Sequence, residues 1–189
     1  MDVQRVVNDV MSSATYIISQ EGCDNVWLVD CGSYASIKAL IPNKTISGVL
    51  LTHTHYDHIY GIQALVNSFP ESKIITNNHG VIGLASTTLN LSKYFSDPIT
   101  IEEERIEVVQ EGDAIELFPG VKANILETPG HNPSCLCFEV SEYLFTGDAY
   151  IPGFKTVTNF TGADKEMAQA SFNRIQTLAE QYIVCPGHV

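Results

Sequence analysis

The run His53-Thr54-His55-Tyr56-Asp57-His58 constrains this chain more than any other stretch of it. Four potential metal ligands fall within six residues, directly behind the apolar segment Gly48-Val49-Leu50-Leu51-Thr52. A short, wholly apolar segment reads as a strand buried on both faces, so the ligands sit at a strand end. The arrangement recurs along the chain. His131 closes Thr128-Pro129-Gly130-His131, Asp148 closes Phe145-Thr146-Gly147-Asp148, and His188 closes Cys185-Pro186-Gly187-His188, each behind another strand candidate. Five of the six histidines are placed this way, and only His79 falls outside. Loops at strand ends are where rigid scaffolds present chemistry.

The rest of the chain narrows the partners. At 189 residues it reads as one domain, 1–189, long enough to bury a substantial core. No apolar stretch approaches the roughly 20 residues of a membrane span, and Met1 to Val10 lacks the basic-then-apolar form of a signal peptide. A cytoplasmic location with no membrane partner is therefore expected. A formal charge of −12 opposes a phosphate-backbone partner, because nucleic-acid affinity comes largely from Lys and Arg. No nucleic acid is expected, and a small molecule is the partner the composition favours. Oligomeric state is left open. The five cysteines lack CxxC spacing and read as free thiols acting as small buried hydrophobes.

Strand and helix patterns alternate. Thr15 to Ile18 and Val26 to Asp30 form a hairpin around Gln20 to Asn25, and Ser33 caps a helix through Leu40 that ends before Pro42. Ile59, Ile62, Leu65, Val66 and Phe69 recur at helical spacing, and Lys73 to Thr76 is a strand. The stretch from Asn77 to Pro98 reads as short helical turns and loops beside the site. Strands follow at Ile106–Val109, Ala114–Leu117, Val121–Glu127, Leu136–Val140 and Tyr143–Thr146. An amphipathic helix from about Asp164 to Glu180 then shows Met167, Ser171, Ile175 and Leu178 on one side, and Tyr182 to Val184 is the last strand. This order suits an α/β (α+β) fold of two mixed sheets packed face to face with helices outside.

Neutral imidazole and carboxylate suit Zn²⁺, Fe²⁺ and Mn²⁺, and no Cys in the cluster demands a softer metal. The sequence resembles the metallo-β-lactamase superfamily, in its glyoxalase II-like branch with the HxHxDH motif and a bridging aspartate. The resemblance covers essentially the whole chain, with Leu28-Val29-Asp30-Cys31-Gly32 matching the family's opening strand and turn. It implies an αββα four-layer sandwich and two divalent ions, zinc before iron or manganese. His53, His55 and His131 resemble the ligands of the first ion, Asp57, His58 and His188 those of the second, and Asp148 the bridge between them. Asp30 matches a residue that orients ligating imidazoles.

The function so implied is hydrolysis of a small ester-like substrate, a thioester, lactone or related acyl compound, by a metal-bound hydroxide at a binuclear site. Asp57 is the catalytic candidate, orienting the nucleophile and relaying its proton. Lys155, following Asp148 on a loop over the cleft, is a candidate for a substrate carboxylate, and Tyr150 for support of an oxyanion. Packing is the commoner role for Tyr56, Tyr60 and Tyr150. Trp27 reads as core and His79 as a loop residue. Full glyoxalase II enzymes carry a further C-terminal helical region for glutathione, whereas this sequence ends one residue beyond His188, which counts against glutathione recognition by that route. Asp148 in place of a bridging Cys counts against β-lactams. The alternative is a mononuclear non-haem iron sulfur (persulfide) dioxygenase using the positions matching His53, His131 and Asp148. A metal-free binding module is the third reading, weakened because no ligand is missing.

Overall fold

The computed structural model describes residues 1–189. Its strands form two mixed sheets. The first takes β1 (Asp2–Val7), β2 (Ala14–Ser19), β3 (Asn25–Val29), β4 (Thr45–Leu50), β5 (Lys73–Thr76) and β6 (Ile106–Val108), neighbours in that order. The β1 to β3 pairs are antiparallel and the β3 to β6 pairs parallel. Parallel neighbours need crossovers. The chain supplies them as α1 (Tyr34–Leu40), α2 (Tyr56–Ile59) with α3 (Ile62–Ser68), and α4 (Asn78–Leu84). The second sheet runs β7 (Ala114–Phe118), β8 (Val121–Glu127), β9 (Leu136–Val140), β10 (Tyr143–Gly147) and β11 (Ile183–Pro186). It is antiparallel except for the β10–β11 pair, which α5 (Lys165–Ala179) bridges.

Period-2 alternation builds the layers. On β3, Val26 and Leu28 face a core under α1 to α3 with Ile37, Ile59, Ile62 and Leu65, while Trp27 and Val29 face a core between the sheets with Ile125, Phe138 and Phe145. On β9, Leu136, Phe138 and Val140 point inward, and Cys137 points out to a third cluster with Leu144 and Ile175 of α5. The result is the αββα four-layer sandwich of two mixed sheets expected from the sequence. Trp27 is core, its indole N–H donating to the Leu117 carbonyl at 2.8 Å. All five cysteines are free.

Three local expectations change. The first strand, β1, carries no strand signal in the sequence, because its positions are mostly exposed and only Val6 is buried. The single helix expected across residues 59–69 is two, since Gly61 N–H donates to the Cys31 carbonyl at 2.9 Å. There the Gly61 backbone presses so closely on the Gly32 carbonyl that a Cβ would collide with it. Met167 is exposed, and α5 buries Ala168, Ser171 and Ile175.

This topology positions the candidate ligands. β8, β10 and β11 all run the same way, so their C-terminal ends share one edge of the second sheet. At that edge the two sheets are tied by Leu136 N–H to the Thr52 carbonyl (2.7 Å) and by the Tyr16 hydroxyl to the Pro186 carbonyl (2.9 Å).

Candidate metal centre

The chain leaves β4 through Leu51 and Thr52 to place His53 and His55, and α2 then carries Asp57 and His58. His131 follows β8, Asp148 follows β10 and His188 follows β11. All seven side chains converge. Three overlapping groups, His53–His55–His131, His53–His58–Asp148 and Asp57–His58–His188, each keep their nitrogen or oxygen atoms within 4.8 Å of one another. Asp148 lies between the sets: Oδ1 is 3.4 Å from His58 Nε2, and Oδ2 is 3.5 Å from His131 Nε2 and 3.3 Å from His188 Nε2. Asp57 Oδ2 lies 3.4 Å from His58 Nε2 and 3.3 Å from His188 Nε2.

The far side of each ring explains its orientation. His131 Nδ1 donates to the Val157 carbonyl at 2.8 Å and His188 Nδ1 to the Met11 carbonyl at 3.0 Å. A carbonyl only accepts, so each Nδ1 carries a proton and each Nε2 is the ring atom turned inward. His58 Nδ1 donates to Asp30 Oδ2 at 2.8 Å. Asp30 is buried and also accepts from the Thr52 N–H and hydroxyl, both at 2.8 Å. With its proton committed to Asp30, the Thr52 oxygen accepts from His53 Nδ1 at 3.2 Å and frees His53 Nε2. His55 is turned the other way: its Nε2 faces the Asn132 carboxamide nitrogen at 3.0 Å, and its Nδ1 lies 2.9 Å from His131 Nε2. Asn132 is held by Ser134, whose N–H and hydroxyl donate to its oxygen. Asp30 was legible in the sequence, but Thr52, Asn132, Met11 and Val157 were not.

Charge is divided unevenly across the cluster. Burial pushes His53 well below the usual imidazole range; His55, buried and beside His131, falls to about 3; burial also lowers His131. These three present neutral nitrogens. Burial would lower His58 too, but the carboxylates of Asp57, Asp148 and Asp30 outweigh it and hold His58 well above its ordinary value. His188 rises to about 10 against its own burial, through donation to Asp148 and Asp57. Burial would raise both of those carboxyls, yet His58 and His188 hold them low, Asp148 furthest. Ionised carboxylates this deep call for positive charge.

These residues fit divalent cations. His53 Nε2 and Asp148 Oδ1 are buried with no hydrogen-bond partner. A buried polar atom left unpaired costs about 1–3 kcal/mol, and both atoms point among other lone pairs that a cation would accept. The nitrogen and oxygen donor set matches zinc, iron(II) or manganese(II).

A cleft of about 350 Å³ opens onto His55, Asp57, His131, Asp148 and His188. The loop after Asp148 overhangs it with Ile151, Phe154, Lys155 and Val157, so Lys155 is at the cleft as anticipated. Tyr150 is not: its ring packs on Phe172 of α5, centroids 4.9 Å apart, beside the Cys137 and Leu144 cluster. Tyr56 stacks on Phe95 at 3.9 Å, and the Tyr60 hydroxyl donates to Asp9. His79 is exposed on α4.

A family model described as the metallo-beta-lactamase superfamily matches residues 7–188. The chain belongs to the metallo-beta-lactamase superfamily. A hydroxyacylglutathione hydrolase from Hydrogenovibrio crunogenus is 29% identical over 92% of this chain and 58% of its own length. The chain thus spans a little over half the length of the curated relatives it matches. Among solved structures, BLEG-1 B3 metallo-beta-lactamase superposes with a TM-score of 0.85 at 24% identity, covering 100% of this chain and 92% of that one. TTHA1623 in a di-iron-bound form gives 0.83 at 22%, covering 98% and 92%. At these identities the superpositions establish the superfamily fold. No helix of this member is long and apolar enough to cross a membrane.

Proposed function

We propose that this protein is a metal-dependent hydrolase of a small ester-like substrate, a thioester, lactone or related acyl compound. The reading rests on one observation: seven side chains turn a nitrogen or oxygen atom into one cluster, and two of those atoms are buried without a hydrogen-bond partner. His53, His55 and His131 would hold one divalent ion, Asp57, His58 and His188 a second, and Asp148 would touch both. Such ions, zinc before iron or manganese, supply Lewis acidity and bring the pKa of a water from 15.7 to about 7. The curated relatives named hydroxyacylglutathione hydrolase support thioester chemistry.

The chain's own residues do the rest. Asp57 reaches the cleft from the start of α2 and is held ionised, so it can orient the attacking water, take its proton and pass it to the leaving group. Lys155 stands where a carboxylate on the substrate would meet it. The overhanging loop and the Phe95 wall narrow the approach and exclude bulk water.

A panel of thioesters and lactones tests the reading with metal-loaded, chelated and Asp57→Asn protein. Turnover should vanish on chelation and return with metal. Asp57→Asn should lower kcat by about 10²–10⁴ with the fold intact. The alternative, one iron on His53, His131 and Asp148 acting on a persulfide, would leave Asp57, His58 and His188 without a role. Oxygen uptake with a persulfide and no ester turnover would favour it.

A further inference from the structure

The cleft wall has a chemistry of its own. Apart from the five converging residues that face it, its polar side chains are Lys155, Thr156 and Tyr56. The remaining side chains are apolar, led by Phe95, Ile151, Phe154, Val157 and Phe160. Phe160 stands at the lip, its ring edge-on to His55 at 5.0 Å and to His131 at 5.6 Å. Phe95 also lines the cleft, fixed by its stack on Tyr56. Phe154 and Val157 hold 69% and 50% of their surface in water. Apolar surface gathered in this way, within one concave site, marks a place where a ligand or partner is bound.

We propose that this wall is a subsite for an aliphatic acyl group, so that the preferred substrate carries a hydrocarbon chain of several carbons next to the reacting carbonyl. The inference rests on the hydrolase reading and adds the substrate class. Three features favour the acyl part of a substrate as occupant. The apolar wall begins in contact with His55 and His131, so a chain bonded to a carbonyl at the centre enters it without a gap. A polar peptide-like group would find few partners, since most of the wall offers neither donor nor acceptor and each desolvated amide would lose its hydrogen bonds. The volume, about 350 Å³, falls within the range of small-ligand sites.

Straight-chain carboxylates from acetate to octanoate, the products of such a reaction, provide a probe that needs no turnover. Calorimetry of the zinc-loaded protein should show Kd falling about threefold to fourfold per added methylene, with a heat capacity change that grows more negative along the series. Phe154→Ser and Phe160→Ser should each flatten that series at unchanged zinc content and circular dichroism. A Kd independent of chain length, or a series unaltered in both variants, overturns the subsite. The hydrolase reading is separated by a parallel assay of acetyl, octanoyl and glutathione thioesters. A flat binding series with a glutathione thioester as the best substrate removes the subsite and keeps the hydrolase. A steep series with no ester or thioester cleaved keeps the subsite and removes the hydrolase.

Discussion

Ring orientation at the centre is set by acceptors on the far side of the imidazoles. Carbonyls of Met11 and Val157 and the carboxylate of Asp30 bond Nδ1 of His188, His131 and His58, and each therefore presents Nε2. Asp30 does most, because it serves His58 directly and His53 through Thr52. It sits at φ +59°, a left-handed conformation that Asn tolerates, so Asp30→Asn changes the charge while sparing the backbone. Competition with a chelator should show metal affinity lowered by about 10–100-fold; an unchanged affinity would reduce Asp30 to a packing residue. The converging side chains are legible in the sequence because each ends a recognisable strand-and-turn motif. Their partners are not, since any residue supplies a carbonyl and nothing local marks Met11 or Val157 as the one used. Tyr150 was misplaced for a related reason: proximity to Asp148 in sequence does not say that its ring turns to α5.

Among the elements, α5 bears on the site without contributing a ligand. Its cap, Asp164, donates its N–H to the Gly130 carbonyl at 2.8 Å, and Ser171 donates to the Pro129 carbonyl at 2.7 Å, so the helix seats the turn that carries His131. Gly130 has φ +139°, and a Cβ there would collide with the Ala168 backbone. Gly130→Ala should lower stability by more than about 1 kcal/mol in denaturant titration and weaken metal binding with it. Farther along, Arg174 grips Glu111 with contacts of 2.6 and 3.2 Å, and Glu111 also accepts from Glu127 N–H. Donation from Arg174 holds the Glu111 carboxyl below its ordinary value of 4.5. A depressed carboxyl stabilises the fold above its unfolded pKa, and that contribution disappears as pH falls through the folded one. Both side chains are largely exposed, so Arg174→Gln should cost only about 0.2–1 kcal/mol at neutral pH. The gap between the two thermal midpoints should close as pH drops below 4.5. Most elements could be read from sequence because apolar, β-rich runs bounded by turns mark β2 to β5, β9 and β10, alternation marks β8, and helical spacing marks α5. The edge strand β1 buries too little to show its period, and the break between α2 and α3 reflects contact with Gly32, far away in sequence.

For the whole molecule, the centre joins the two sheets. His53, His55, Asp57 and His58 come from the end of β4 in one sheet, whereas His131, Asp148 and His188 come from β8, β10 and β11 in the other. A cation held by both groups would resist their separation and supply positive charge to a chain with a formal net charge of −12. Free metal at 100 times Kd should add about 2.7 kcal/mol, a rise of roughly 5–10 °C in Tm for a chain of this size, reversed by a chelator in scanning calorimetry. A two-metal centre fixes the metal content of the protein. In protein purified without chelator or nickel resin, elemental analysis should find about two equivalents of zinc, iron or manganese per chain. One equivalent of iron that no added metal can supplement, or no retained metal after refilling, would contradict it.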